Sequence, residues 1–88
     1  MNIEFRKTFK KDLRNLKEPK IKQQIKGVIE DIEVAKNITD LRNVKAIQGH
    51  QGFYRIRIGN YRLGLYLNGN VVALVRFLHP KDMYRYFP

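Results

Sequence analysis

The sequence predicts an α+β fold, with an N-terminal strand and a helical hairpin packed on a mainly antiparallel β-sheet. Three observations predict it. Apolar residues in the first half recur at helical spacing. Those in the second half alternate, or run together over strand-length segments. Two glycine–asparagine steps, Gly59-Asn60 and Asn68-Gly69, fall where hairpin turns belong. Helices followed by a run of strands is the order of a segregated α+β domain. A chain of 88 residues is expected to be one domain, residues 1–88, with a small core.

Asn2 to Phe5 can form a short first strand. Residues 7–16 place Phe9, Leu13 and Leu16 at helical spacing, with Lys10, Lys11 and Arg14 elsewhere on the surface and Thr8 as the N-cap. Glu18-Pro19 breaks this helix and opens another, because proline suits the first helical position. Ile21, Ile25, Val28, Ile29 and Ile32 form the apolar stripe of the second helix. Residues 37–43 are a connection, 44–47 a short strand and 48–52 a polar loop in which His50 is given no chemical role.

Phe53–Ile58 and Tyr61–Leu67 form a hairpin, with Gly59 placed for a type II′ turn. Asn68-Gly69 predicts a second hairpin, of type I′, leading into Val71–Leu78. This nearly continuous apolar run, interrupted by Arg76, reads as a strand covered on both faces. His79-Pro80 ends it, and residues 82–87 suit one short helical turn. The helices are expected on one sheet face. The other is expected to stay partly open and to carry the arginines.

Charge narrows the function. There are 18 lysines and arginines against 8 acidic residues, a net charge of +10. Such an excess favours a polyanionic partner. Between Asp40 and Asp82 the chain has no acidic residue, yet it carries Arg42, Lys45, Arg55, Arg57, Arg62, Arg76 and Lys81. Cysteine is absent, so no disulfide or thiolate site can form. The charged first twenty residues do not read as a signal peptide, and Val71–Val75 is too short to span a bilayer. The expectation is a soluble, cytoplasmic protein with no membrane partner.

Strand alternation puts Arg55 and Arg57 on one face of their strand and Tyr54, Ile56 and Ile58 on the other, with Arg62 returning beside the arginine pair. Guanidinium forks match phosphate in charge and shape. The sheet half lacks the converging carboxylates of a two-metal nuclease, and the chain has neither a phosphate-binding glycine loop nor zinc-ligand spacing. No cofactor or metal is therefore expected. Metal-free RNA cleavage needs a base for the ribose 2′-hydroxyl, cations for the charge growing on phosphorus and an acid for the departing oxygen. Arg55, Arg57 and Arg62 suit the cationic role. His79 is the candidate base or acid, since imidazole exchanges protons near neutral pH. Tyr84 joins this catalytic set, and Lys45, Arg76, Lys81 and Arg85 are assigned to RNA phosphate contact. Phe53, Tyr54, Tyr61 and Tyr66 offer surfaces on which bases could stack.

The segment Tyr54-Arg55-Ile56-Arg57-Ile58-Gly59-Asn60-Tyr61-Arg62 is similar to the core motif of the RelE/ParE superfamily, the toxins of type II toxin–antitoxin pairs. The tail from His79 to Tyr84 resembles that family's usual ending, and the likeness spans essentially the whole chain. The resemblance implies a metal-independent, ribosome-dependent endonuclease that cuts mRNA by 2′-hydroxyl attack and so inhibits translation. Its implied partners are the ribosome, mRNA and a cognate antitoxin that holds it inactive. It implies phosphate and transition-state contacts at Arg55, Arg57 and Arg62, and a site role for Tyr84. Two departures stand out. Pro80 replaces an arginine common among relatives, which could reduce the rate or pass that role to Lys81 or Arg85. Arg55 and Arg57 stand where some members use lysine, and arginine stays protonated, so the base falls to His79 or the reaction relies on electrostatics and positioning. The competing functions are a ribosome-independent RNase, a ParE-type gyrase inhibitor and a plain nucleic-acid-binding module.

Overall fold

In the computed structural model, which describes residues 1–88, the chain runs β1 (Asn2–Phe5), α1 (Lys7–Arg14), α2 (Pro19–Val34), a 3₁₀ turn (Ile38–Asp40), β2 (Val44–Ala46), β3 (Phe53–Ile58), β4 (Tyr61–Asn68), β5 (Val71–Leu78) and α3 (Pro80–Tyr86). The sheet order is β1-β5-β4-β3-β2. Strand β1 joins β5 in parallel, and every other pairing is antiparallel. The fold is thus α+β on a mainly antiparallel sheet, as the sequence predicts. No helix is long and apolar enough to cross a membrane.

Helices α1 and α2 cover one face. Phe9, Leu16, Ile25 and Ile32 meet Ile56, Ile58, Leu63, Leu65, Val72, Leu74 and Phe77 from the sheet, and Ile38 seals the end of this core. The isoleucine stripe of α2 packs as its spacing requires, with Ile21, Val28 and Ile29 at the core margin. Helix α1 stops at Arg14, short of the expected Leu16, although Leu16 is still buried.

Thr8 does not cap α1. The N-cap is Arg6, and the Thr8 hydroxyl instead donates to the Val75 carbonyl at 2.6 Å. The reason lies at the sheet edge. Strand β1 pairs with β5 only through Leu74, so Val75 and Phe77 would present unpaired backbone groups beyond it. Thr8 satisfies the first of these. The Asp12 carboxylate accepts the Phe77 N–H at 2.9 Å and satisfies the second.

The second hairpin turn also differs from expectation. Asn68 pairs with Val71, so the turn residues are Gly69 and Asn70 rather than Asn68 and Gly69. Gly69 has φ 60° and Asn70 is not left-handed, the pattern of a type II′ turn with glycine first. The Gly59-Asn60 turn has the same pattern, with Gly59 at φ 57°, as predicted.

The open face is less open than the sequence suggests. The tail forms a two-turn helix, α3, longer than the single turn expected, and folds back over the sheet. Met83 and Phe87 are buried beneath it with Ala73. A Cβ on Gly64 would stand 2.8 Å from the Phe87 ring, so only glycine leaves room for the tail to seat. Phe53 packs on Tyr66 and Phe87 at ring-centroid distances of 4.7 and 5.5 Å. This small second core occupies Phe53 and Tyr66. Tyr54 and Tyr61 pack against the helix-side core instead. The rings proposed as base-stacking surfaces are therefore engaged within the protein.

Candidate nucleic-acid interface

The register of β2, β3 and β4 assembles the cations. Lys45 lies directly opposite Arg55, and Arg57 directly opposite Arg62. Ile56 and Ile58 point into the core, so strand alternation turns Arg55 and Arg57 to the other face. Together with Asn43 and Val44, these four cationic residues line a hollow of about 300 Å³. No carboxylate lines it. The two ion pairs of the chain, Arg6–Glu4 and Arg76–Asp12, lie elsewhere.

Backbone geometry holds the hollow open. Asn43, the only non-glycine residue with positive φ, turns the chain into β2 at φ 60°. Its carbonyl accepts the Arg57 N–H at 3.2 Å, and its Oδ1 lies 3.5 Å from Arg57 Nη2. Arg62 Nη1 donates to the Tyr61 carbonyl at 2.9 Å. Each guanidinium keeps further N–H groups for a ligand. The sequence reading missed Asn43; its one signal was the tolerance of asparagine for left-handed backbone at the end of a loop.

Four other candidates sit apart from this hollow. Arg76 is not a free cation: its Nε and Nη2 donate to Asp12 at 2.8 and 3.0 Å, and its guanidinium lies 5.6 Å from the Tyr86 ring centroid. The hydrogen bond to Asp12 raises its pKa, holding the charge firmly in place. Arg76 therefore clamps α1, β5 and α3 together, and its charge is neutralised by Asp12 although its side chain stays partly exposed. Lys81 and Arg85 are exposed on α3, as is Tyr84, which is 83% accessible. None of these three lines the arginine hollow.

His79 is turned away from the arginines. Its ring stacks on Tyr61 at 4.4 Å, and Tyr61 stacks on Phe77 at 4.9 Å, all on the helix side of the sheet. A β-bulge causes this. Gly64 pairs with Arg76 and Leu65 with Leu74, leaving Val75 as an extra residue in β5. Simple alternation from the core residues Val72 and Leu74 would place His79 on the arginine face. The extra residue reverses that phase. Phe77 returns to the core beside Leu63, and Leu78 takes the place next to Arg62. Tyr61 is fixed from its far end by a hydrogen bond from its hydroxyl to Glu18, which raises its pKa.

A site with four cations, no carboxylate and no imidazole can hold a phosphodiester and stabilise added negative charge on it. It offers no donor set for a metal ion: none of its side chains is a carboxylate, imidazole or thiolate.

Comparison with known proteins finds relatives in sequence and in fold over nearly the whole chain. The profile of the ParE toxin of the type II toxin–antitoxin system parDE matches residues 3–84. The chain is 42% identical to toxin RelE3 of Methanocaldococcus jannaschii over the full length of both proteins. Its backbone superimposes with a TM-score of 0.82 on a chain of the RelB–RelE antitoxin–toxin complex from Methanococcus jannaschii, at 40% identity, covering 97% of this chain and 99% of the other. A chain of the archaeal RelE–RelB complex from Pyrococcus horikoshii shares the fold at 18% identity, with a TM-score of 0.73 and 89% and 92% of the two chains covered.

Proposed function

Because the chain belongs to the RelE/ParE superfamily, on its RelE-like branch, and is a toxin of a type II toxin–antitoxin system, we propose that it is an endoribonuclease that cuts mRNA on the ribosome. The observation that carries the proposal is the cluster of Arg55, Arg57, Arg62 and Lys45 around one hollow with no acidic residue to neutralise it.

The scissile phosphate sits among the guanidinium groups. Attack by the neighbouring 2′-hydroxyl adds charge to the phosphoryl oxygens, and donors already fixed on the sheet meet that charge without reorganising. No carboxylate, imidazole or thiolate lines the hollow to hold a metal, so the side chains present can contribute hydrogen bonding, charge and proton transfer. Lysines and arginines of α1 and α2 add a broad positive surface for ribosomal RNA, and binding should weaken steeply with salt.

The partner that controls such a toxin is a cognate antitoxin, whose acidic segment would cover the arginine hollow and exclude RNA. The M. jannaschii and P. horikoshii relatives were solved in complexes of RelE with RelB, the former described as antitoxin–toxin. Near-stoichiometric antitoxin should abolish cleavage; continued turnover in the saturated complex would refute inhibition by occlusion.

A second activity, inhibition of DNA gyrase, draws on the ParE profile match. Mapping transcript ends after brief induction in living cells separates the two. Breaks within translated frames support the ribosomal nuclease. Intact messages with stalled replication support the gyrase inhibitor.

A further inference from the structure

We propose that Lys45 is the general base of this cleavage, the group that takes the proton from the ribose 2′-hydroxyl. The assignment rests on the endonuclease function proposed above and goes one step further, to the atom that receives the proton.

Elimination and placement both lead to Lys45. Arg55, Arg57 and Arg62 remain protonated and cannot act as bases. Asn43 and Val44, the other residues of the hollow, have no group that accepts a proton at working pH. His79 lies behind the sheet on Tyr61, and the residue that faces the arginines from the end of β5 is Leu78. The Lys45 amine is thus the one proton-exchanging group that lines the site.

Lys45 is also suitably placed. It stands opposite Arg55 on the same sheet face, from the three-residue edge strand β2, and its side chain is exposed. The charged groups facing it are Arg55, Arg57 and Arg62. Asp40 and Asp31 line a separate hollow with Arg42, beside the end of α2. No acidic partner therefore competes for the amine.

In the step itself, the neutral Lys45 amine accepts the 2′-hydroxyl proton as the 2′-oxygen bonds to the adjacent phosphorus. The bond from phosphorus to the 5′-oxygen breaks. The products are a 2′,3′-cyclic phosphate and a 5′-hydroxyl, whose proton comes from water. Lys45 then returns its proton to solvent.

The absence of cysteine permits a direct test. Lys45→Cys introduces a single thiol, and alkylation with 2-bromoethylamine converts it to a thioether amine of lysine's length and lower basicity. Cleavage of mRNA in programmed ribosomes should fall at least ~100-fold in Lys45→Cys. Alkylation should restore it, with the rising limb of the pH–rate profile moved to lower pH than in the wild type. Lys45→Arg should still bind RNA but lose cleavage to the same degree. Lys45→Arg with the wild-type rate and profile, or restored cleavage with an unmoved limb, would overturn the base assignment alone. Wild-type protein that binds ribosomes and leaves mRNA whole would overturn the nuclease function and the assignment together.

Discussion

Arg57 and Arg62 face each other directly across β3 and β4, two guanidinium groups in one cross-strand pair with no carboxylate between them. Like charges at directly opposed positions weaken a sheet. The fold tolerates this at its hairpin end, beside the Gly59-Asn60 turn. Such a cost is the trade-off expected where side chains serve binding rather than stability.

Replacing Arg57 with threonine should therefore stabilise the free protein. Removing the repulsion and adding a β-branched residue is worth about 0.5 kcal/mol, or roughly 2–4 °C in Tm for a domain of this size. Cleavage should fall ~100-fold or more with the loss of one transition-state donor. Thermal unfolding and mRNA cleavage of the same preparation check both halves.

The helical tail is seated by the contact between Gly64 and Phe87. Gly64→Ala puts a methyl group into the Phe87 ring and should cost about 1–3 kcal/mol through overpacking. Phe87→Leu should relieve part of that cost, giving a non-additive double-mutant cycle in urea unfolding. Additive costs would mean that the tail does not rest on Gly64.

Asp12 ties the first helix to the sheet edge and to Arg76 through three hydrogen bonds. Asp12→Asn keeps the shape but loses the charge. It should cost about 1.5–3 kcal/mol, the worth of hydrogen bonds to a charged partner. Arg76→Met, which empties the same clamp, should leave RNA binding by the folded protein nearly unchanged. A large loss of binding would return Arg76 to the RNA-contacting set.

The Tyr61–Glu18 hydrogen bond raises the tyrosine pKa, which fixes the sign of its pH dependence. Its contribution is fully present below the ordinary tyrosine value of about 10 and is lost as pH rises through the raised folded value. The stability difference between wild type and Tyr61→Phe should thus be constant in mildly alkaline buffer and shrink at higher pH. The Tyr61 hydroxyl and its bond to Glu18 are at the surface, so the effect is small. Urea midpoints across this range would show it.

The strand and helix order, the isoleucine stripe of α2 and the type II′ turn at Gly59 were legible because local spacing and turn chemistry decide them. So was the gathering of Arg55, Arg57 and Arg62, which follows from alternation and a two-residue turn. What could not be read depends on non-local pairing. The Val75 bulge has no distinctive residue to announce it, yet it sends His79 to the wrong side for the role that its chemistry favours. Thr8 and Asp12 look like ordinary helix residues until the early end of β1 leaves an edge for them to satisfy. Arg76 reads as a free cation because its neutralising partner is 64 positions away in the chain.

The most direct measurement is cleavage of a defined mRNA in programmed ribosomes, with EDTA present, by wild-type protein and by Arg62→Ala of verified fold. The wild type should cut the message and leave a 2′,3′-cyclic phosphate, while Arg62→Ala leaves it intact. Equal cleavage by the two proteins, or an intact message with the wild type, would contradict the assignment of phosphodiester cleavage to the arginine hollow.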